Sequence, residues 1–354
     1  MDHSQAAVVI LNYNGASFLE QFLPSVLKHS GDARIIVADN ASTDHSLKVL
    51  DEQFAQEVEV IRLCQNYGFC GGYNRALKQV DAPFYVLLNS DIEVTAGWLA
   101  PILSLFEAQP QLAACQPKVL AQTQPDRFEH AGAGGGGIDS LGYPFCRGRI
   151  FDDLEEDQGQ YDDECAVFWA TGACLVIRSQ CYWDMGGLEE GFFAHMEEVD
   201  LCWRLQRAGY TIGYSGKSTV YHVGGGTLQT DSPFKIYLNF RNGLLLLLKN
   251  LPPKARWQVL FLRMVFDGVA AWRFLLMGKP QFFRAIFRAH LGFYRMLPEY
   301  WPKRNRDNRT SLPSIYPKSI AVQYFLKGKR KFSQLGWKFP QLSERYSPSK
   351  TKSS

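Results

Sequence analysis

Residues 6–42 read AAVVILNYNGASFLEQFLPSVLKHSGDARIIVADNAS. An apolar run stops at Asn12, a stretch with helical spacing occupies 18–30, and a second apolar run stops at Asp39. Continuous apolar runs of this length suit strands buried on both faces. The alternation then repeats. TDHSLKVLDEQFA (43–55) has helical spacing, with Ser42, Thr43 or Asp44 available as N-cap. VEVIRLCQN (58–66) is a third strand, GFCGGYNRALKQV (68–80) a Gly-rich loop feeding a helix, and FYVLLNSD (84–91) a fourth strand. This βαβα order predicts an α/β fold with a doubly wound, mostly parallel central sheet flanked by helices. Such sheets bind ligands beyond the carboxyl ends of their strands, where Asn12, Asp39, Asn66 and Asp91 all fall.

The chemistry of those ends is specific. Asn89, Ser90 and Asp91 close the fourth strand with an amide, a hydroxyl and a carboxylate. A turn would use these groups, and so would a divalent metal holding a phosphate, because Asp91 is a hard oxygen ligand of the type Mg2+ or Mn2+ takes. The strand STVYHVGGG (218–226) brings His222 to another end, and an imidazole suits Mn2+. The Asp39 carboxylate can accept from a base N–H or ribose hydroxyls, or serve as a turn or helix cap. The stretch Asn66–Gly72 lets backbone approach a ligand and leads into a helix N-terminus, which favours phosphate. Its spacing is neither GxGxxG nor a P-loop. Glu197, Glu198 and Asp200 crowd one helix start. Successive residues do not share a helical face, so one or two of them enter a cleft and the rest complement the helix dipole.

Beyond residue 121 the pattern loosens. Residues 122–165, with AGAGGGG (131–137) and DDLEEDQGQYDDE (152–164), read as a long flexible or hairpin-bearing loop. AVFWATGACLVIRS (166–179) reads as a strand and HMEEVDLCWRLQRAGY (195–210) as a helix packing Leu201 and Leu205 inward. From about 235 the helices mix apolar faces with Arg, Lys and Trp, a composition suited to a bilayer interface or to packing on the body. Charge is divided accordingly. From Lys249 onward 22 Lys and Arg meet 4 Asp and Glu, against 16 and 31 before it. A basic tail on an acidic body suggests an anionic partner. The eight Cys form no CxxC pair and no zinc spacing, and read as scattered thiols of a reducing compartment. The start MDHSQAA lacks a basic n-region. No apolar run approaches the roughly 20 residues of a spanning helix.

The ordered set VVILNYNG, VADNASTD, NYGFCGGYN, LLNSD, TGACLVIR, GGLEEGFFAHMEEVDLCWR and YHVGGGT resembles the family 2 glycosyltransferases with the GT-A (Rossmann-like) fold, and in particular the bacterial rhamnosyltransferase-like branch that builds surface polysaccharides. The likeness covers roughly residues 6–250. It implies a metal-dependent, inverting transfer from a nucleotide-diphosphate sugar. On that pattern Asp39 contacts the nucleotide, with Asn12, Asn66, Gly71 and Asn89 lining the donor site. Asp91 matches the last acid of the family's DxD motif and His222 its downstream metal-binding histidine, together holding Mg2+ or Mn2+. Glu198 matches the catalytic base, with Glu197 beside it. Asn89 stands where the motif opens with Asp, and Glu-Glu stands where the family often has Glu-Asp.

The expected division is a catalytic domain over 1–245, a basic amphipathic helical region over 246–340, and a disordered tail over 341–354. The expected donor is dTDP-rhamnose, with UDP- and GDP-sugars open. The expected acceptor is a lipid-linked glycan or polysaccharide hydroxyl, met at the cytoplasmic face of the inner membrane through peripheral contact with the inner leaflet. A nucleotidyltransferase shares the sheet and the metal-binding Asp, but LNYNGASFL lacks the basic Gly-rich loop expected after its first strand. Nucleic-acid binding by the basic tail is disfavoured, because its aromatics follow helical faces rather than a stacking platform.

Overall fold

The computed structural model describes residues 5–130, 132–224, 232–307, 312 and 314–342. Its first half alternates as the sequence predicts: β1 (Ala6–Asn12), α1 (Ala16–His29), β2 (Arg34–Asp39), α2 (Ser46–Gln53), β3 (Glu59–Arg62), α3 (Gly68–Leu77) and β4 (Phe84–Asn89). β3, β2, β1 and β4 pair in parallel, with Asn12 level with Asp39 and Leu11 level with Asn89. The polar strand ends therefore share one edge. Val8 and Ile10 pack to one side of the sheet and Ala7 and Val9 to the other, so β1 is buried on both faces.

The far half is mixed. It contains β5 (Ile92–Val94), α4 (Ala100–Ala108), β6 (Leu112–Ala121) and β7 (Gln124–Phe128). After four further short strands the chain returns through β12 (Glu164–Ala166), β13 (Cys174–Arg178) and β14 (Thr211–His222). β13 inserts antiparallel between β4 and β6, while β14 runs parallel to β6. The sheet is thus parallel over four strands and mixed beyond them. Of the stretch 166–179 only Ala166 and Cys174–Arg178 are strand, and in the loop between them Trp169 bridges to Gly136. β14 starts seven residues before the expected Ser218, and carries a register shift between Ser215 and Thr219.

Residues 122–165 hold hairpins. β8 (Gly136–Asp139), β9 (Pro144–Cys146), β10 (Arg149–Ile150) and β11 (Asp153–Leu154) form a second sheet, completed by β15 (Ile315–Tyr316) beside β8. β12 (Glu164–Ala166) instead edges the main sheet against β14. The glycine run permits close packing: a Cβ on Gly136 would stand 2.2 Å from the Trp169 ring, and one on Gly137 would stand 2.7 Å from Phe145.

The remaining helices are α5 (Ser179–Asp184), α6 (Glu197–Arg207), α7 (Pro233–Asn250), α8 (Pro253–Leu276) and α9 (Pro280–Tyr300). The boundary expected at 245/246 falls inside α7, whose Leu244–Leu248 run is buried. Ile315–Tyr316 pair with β8 of the second sheet and Gln341 bridges Cys165 at the edge of the main sheet, so the chain after 246 is not purely helical. Of the expected tail, 343–354 lies outside the described residues. All eight Cys are unpaired, seven of them buried. Among the described residues no helix is long and apolar enough to cross a membrane.

Candidate active site at the carboxyl edge of the sheet

β1 and β2 end in a stitched pair of turns. The Asn12 amide donates to Asp39 Oδ1 (3.2 Å) and to the Ser42 hydroxyl (3.1 Å), and the Ser42 N–H donates to Asp39 Oδ2 (3.0 Å). Both side chains are buried, and Asn12 Oδ1 has no hydrogen-bond partner. Of the three expected N-caps, Asp44 holds the start of α2 by accepting from the Ser46 N–H and hydroxyl, while Ser42 is spent on Asn12 and Asn14.

The Gly-rich stretch 68–72 is the first part of α3 itself, not a loop before it. Its leading N–H groups are taken: Tyr67 by Asn40 Oδ1, Gly68 by Asn66 Oδ1, and Phe69 and Cys70 by the Phe193 carbonyl. The expected phosphate site at this helix N-terminus is therefore filled by protein. Asn66 shapes the local turn, its Oδ1 also accepting from Asn40. Gly71 faces Tyr67, Arg75 and Glu190, whereas Gly72 is the glycine pressed against Leu11 and Asn40. Close helix–strand packing, rather than approach to a ligand, is what these glycines permit.

Asn89 ends β4, half-exposed, its N–H donating to the Ala173 carbonyl. Asp91, two residues on, is buried, and its Oδ1 lies 3.2 Å from His222 Nε2. Pairing of β14 with β5 sets His222 beside Ile92. The other imidazole nitrogen lies 2.9 Å from Glu129 Oε2. Burial opposes charge on the ring, but the hydrogen bonds to Asp91 and Glu129 outweigh it and lift the pKa to about 10. Among the described residues no cluster of three or more His, Cys, Asp or Glu is placed to hold a metal. Asp91 and His222 fit a metal as a pair once the ring gives up the proton it shares with Asp91, because only a neutral imidazole can ligate. Two neighbouring ligands about 2.1 Å from one octahedral ion lie about 3 Å apart, close to their separation. Glu129 would then fix the ring tautomer from behind, as carboxylates do for metal-bound histidines. Glu129 was not legible in the sequence, because FEH (128–130) follows no motif or period.

Glu197 and Glu198 open α6 across the loop from Asn89, Glu198 beside Gly172 and Phe69. Glu197 is buried while Glu198 keeps partial exposure, and each has an Oε2 without a hydrogen-bond partner. Burial pushes the Glu198 carboxyl up to about 7. Burial, and then the charge of Glu198, push Glu197 well above the usual carboxylate range. Asp200 behaves oppositely. Burial alone would raise it, but Arg204, Lys249 and Asn250 surround it and hold it below the usual range.

The strap before α6 is strained. Phe193, His195 and Met196 all adopt positive φ (66°, 68° and 71°), a conformation that costs a non-glycine residue about 1–3 kcal/mol. α7 holds it there. The buried Asn242 amide donates to the carbonyls of Phe192, Ala194 and His195 at 2.8–3.0 Å, and Arg241 donates to those of Gly191 and Phe192. The sequence hint was a polar Arg-Asn pair ahead of five consecutive leucines. Asn242 is thus a positioning residue for the acid pair. Asn242→Ala should lower kcat about 10–100-fold, since a misplacement near 1 Å has that effect, with donor KM little changed. Steady-state kinetics against donor concentration checks the split, and Asn242→Gln should rescue only partly.

Concavities elsewhere on the surface have their cations engaged, Arg178 by the carbonyls of Leu112 and Phe106 and Arg34 by Glu59.

Residues 7–168 match the family profile described as Glycosyl transferase family 2. An N-acetylglucosaminyl-diphospho-decaprenol L-rhamnosyltransferase of Mycobacterium tuberculosis is 25% identical over 230 residues, 61% of this chain and 75% of that protein. The structure of S. aureus TarS 1–349 in complex with UDP-GlcNAc superposes with a TM-score of 0.53 at 16% identity, covering 81% of this chain and 80% of that one. Mannosyltransferase PcManGT from Pyrobaculum calidifontis, in complex with GDP-Man and Mn2+, gives a TM-score of 0.51 at 12% identity, covering 85% and 80%.

Proposed function

We propose that this chain, which belongs to the family 2 glycosyltransferases and has their GT-A fold, transfers a hexosyl group with inversion from a nucleotide-diphosphate sugar to an acceptor hydroxyl. The observation that carries the reading is the Glu198 carboxyl. It is poised near pH 7, has an oxygen without a partner, and stands across a loop from the strand ends. A general base works best with its pKa near the operating pH.

In this mechanism Glu198 takes the proton from the acceptor hydroxyl as that oxygen attacks the anomeric carbon. The bond to the diphosphate breaks on the opposite face, so one displacement inverts the anomeric centre and no enzyme nucleophile is needed. Glu197, held toward its protonated form behind Glu198, keeps a second full charge out of the pocket. Asp39, Asn12 and Asn89 meet the nucleoside, Asn12 through its unpartnered Oδ1. Asn66 and Gly71 act through the course of the backbone behind Asn40. Asp91 and His222 would hold Mg2+ or Mn2+, which when bound neutralises charge on the departing diphosphate.

Rhamnose from dTDP-rhamnose is the leading donor, supported by the rhamnosyltransferase relative, with UDP- and GDP-sugars as the other classes. The acceptor is a lipid-linked glycan met at the cytoplasmic face of the inner membrane.

Thermal unfolding of the purified protein with dTDP-, UDP- and GDP-sugars, with and without Mn2+ or Mg2+, tests this directly. A ligand that binds only the folded state raises the melting temperature by mass action. One nucleotide class should give a shift that requires metal, and Asp91→Ala should lose the metal-dependent part while melting normally by itself. Absence of any shift with all three classes would overturn the donor site.

A further inference from the structure

α8 is inside out. Its buried side carries Arg256, Arg263 and Asp267 beside Leu260 and Ala271. Its solvent side carries Trp257, Phe261, Val265, Val269, Trp272 and Leu276, three or four residues apart, with Phe261 67% and Leu276 86% exposed. A helix on a soluble body has the reverse arrangement. Two of the inner charges, Arg263 and Asp267, satisfy each other. Arg263 pairs with Asp267 (2.8 Å), donates to the Gly142 carbonyl and lies 3.7 Å over the Tyr143 ring, whose hydroxyl donates to Asp267. That network locks the inner face to the β8–β9 turn, so the helix cannot roll to hide its apolar side. α9, packed alongside, adds exposed Phe287, Leu291 and Tyr294.

The charges around this surface have one sign. Lys254, Arg273, Arg284, Arg288 and Arg295 are exposed on α8 and α9, against the single exposed acid Glu299. On α9 the three arginines fall on the flank of the apolar face at helical spacing. Trp257 stacks on Trp301 at one end of α8, and Trp272 meets Phe283 near the other. From Trp257 to Leu276 the stripe is about 28 Å long. A second copy of the chain seated here would set arginine against arginine. Lipid phosphates would neutralise them. Apolar side chains below, basic side chains at phosphate level and tryptophans at the boundary form the pattern of a helix lying in a bilayer interface. Neither helix is apolar enough to cross instead.

We propose that the outward face of α8, with the adjoining face of α9, lies in the headgroup region of an anionic bilayer. Its use, to bring the catalytic edge to a lipid-linked acceptor, rests on the function proposed above, whereas the binding itself does not. The full chain should co-sediment with vesicles of phosphatidylcholine mixed with phosphatidylglycerol, at least about tenfold more strongly than with phosphatidylcholine alone. The difference should shrink as salt rises. The double variant Phe261→Glu, Trp272→Glu should lose binding to both vesicles. The triple variant Arg284→Gln, Arg288→Gln, Arg295→Gln should lose only the preference for phosphatidylglycerol. All of these side chains are largely in solvent, so the variants should melt as the parent does and keep its donor-induced shift. Wild-type protein left in the supernatant with both vesicles would overturn the proposal. So would a dimer in sedimentation velocity that the Phe261→Glu, Trp272→Glu variant dissociates, since the face would then belong to a second copy. Vesicle binding without any nucleotide-sugar shift would sustain this inference while overturning the donor reading.

Discussion

Glu198→Gln is expected to lower sugar transfer by about 10³-fold, within the range that loss of a general base produces, while the donor-induced rise in melting temperature persists. Glutamine keeps the shape and the polar contacts of the side chain but cannot accept the acceptor's proton. Measuring both quantities on one preparation separates the two functions. Loss of donor stabilisation together with activity would make Glu198 a binding or structural residue instead. The wild-type pH profile belongs to the same test. With its carboxyl raised to about 7, the reactive ionised form is half populated there. kcat/KM should therefore climb with pH up to about 7 and level off above it, and residual activity in the variant should lack that limb.

The same substitution should stabilise the fold, with a definite sign. The folded-state pKa of Glu198 lies above the unfolded value of about 4.3, so the folded protein binds this proton more tightly. That contribution is full below about pH 4 and is lost as pH rises through about 7. At pH 8 the folded protein holds an ionised carboxylate whose Oε2 has no hydrogen-bond partner. A neutral amide removes that penalty. Glu198→Gln should add about 2–4 kcal/mol at pH 8, the worth of a shift of nearly three pKa units, and little at pH 4. Chemical unfolding at the two pH values reads the difference. On the proposed mechanism, the stability sacrificed at pH 8 keeps the base reactive.

How far the sequence speaks depends on the range of the interactions involved. β1, β2 and β4 were legible because each is an apolar run that stops on a polar residue, and a parallel sheet buries such runs on both faces; β3, the edge strand, is half charged and showed itself by its place in the alternation. Asn12, Asp39, Asn89 and Asp91 were legible for the same reason: the stop marks the strand end, and the ends share an edge. The antiparallel insertion of β13 between β4 and β6 was not, since its period looks the same whichever neighbour it takes. The second sheet escaped because its strands are only two to four residues long, too short to show a period, and β8 opens on two glycines. There the missing side chains make room for Trp169 and Phe145, and only a distant part of the chain explains them. The run at 68–72 misled in the opposite direction. Its glycines looked like room for phosphate, and they admit Leu11, Asn40 and the Phe193 strap instead. Glu129 acts on His222 across 93 residues of chain with no local pattern to announce it, and Asn242 acts on the strap across about 50, hinted at only by its polarity ahead of a leucine run.

Asp200→Ala should have the largest effect on stability, about 3–5 kcal/mol, the cost of breaking a buried ion pair by removing one partner. Composition alone set Glu197, Glu198 and Asp200 side by side as one acidic cluster; the fold divides them. Asp200 points away from the pocket and is fully buried, one oxygen taking Arg204 (2.7 Å) and Lys249 (2.8 Å), the other the Asn250 amide (2.7 Å). Arg204 in turn donates to the carbonyls of Met185 and Gly187, and Lys249 also pairs with Glu189. One carboxylate therefore joins α6, the segment before it and the end of α7. Removing it leaves the buried Lys249 with Glu189 alone and takes from Arg204 its only carboxylate. The pH dependence follows from the sign of the shift. The folded-state pKa lies below the unfolded value of about 3.9, so the contribution is full above about pH 5 and lost as pH falls below it. Urea midpoints of wild type and variant should differ by a constant amount from pH 8 to pH 5 and converge below pH 4. A constant gap at all pH values would assign the loss to packing. Because α7 also holds the strained strap through Asn242, the loosened α6–α7 joint should reach the active site. kcat should fall in the surviving folded fraction, as it does for Asn242→Ala, while donor affinity changes little. The C-terminal helices thus begin with α7, which holds the strap before α6, and α8 and α9 turn their apolar faces outward.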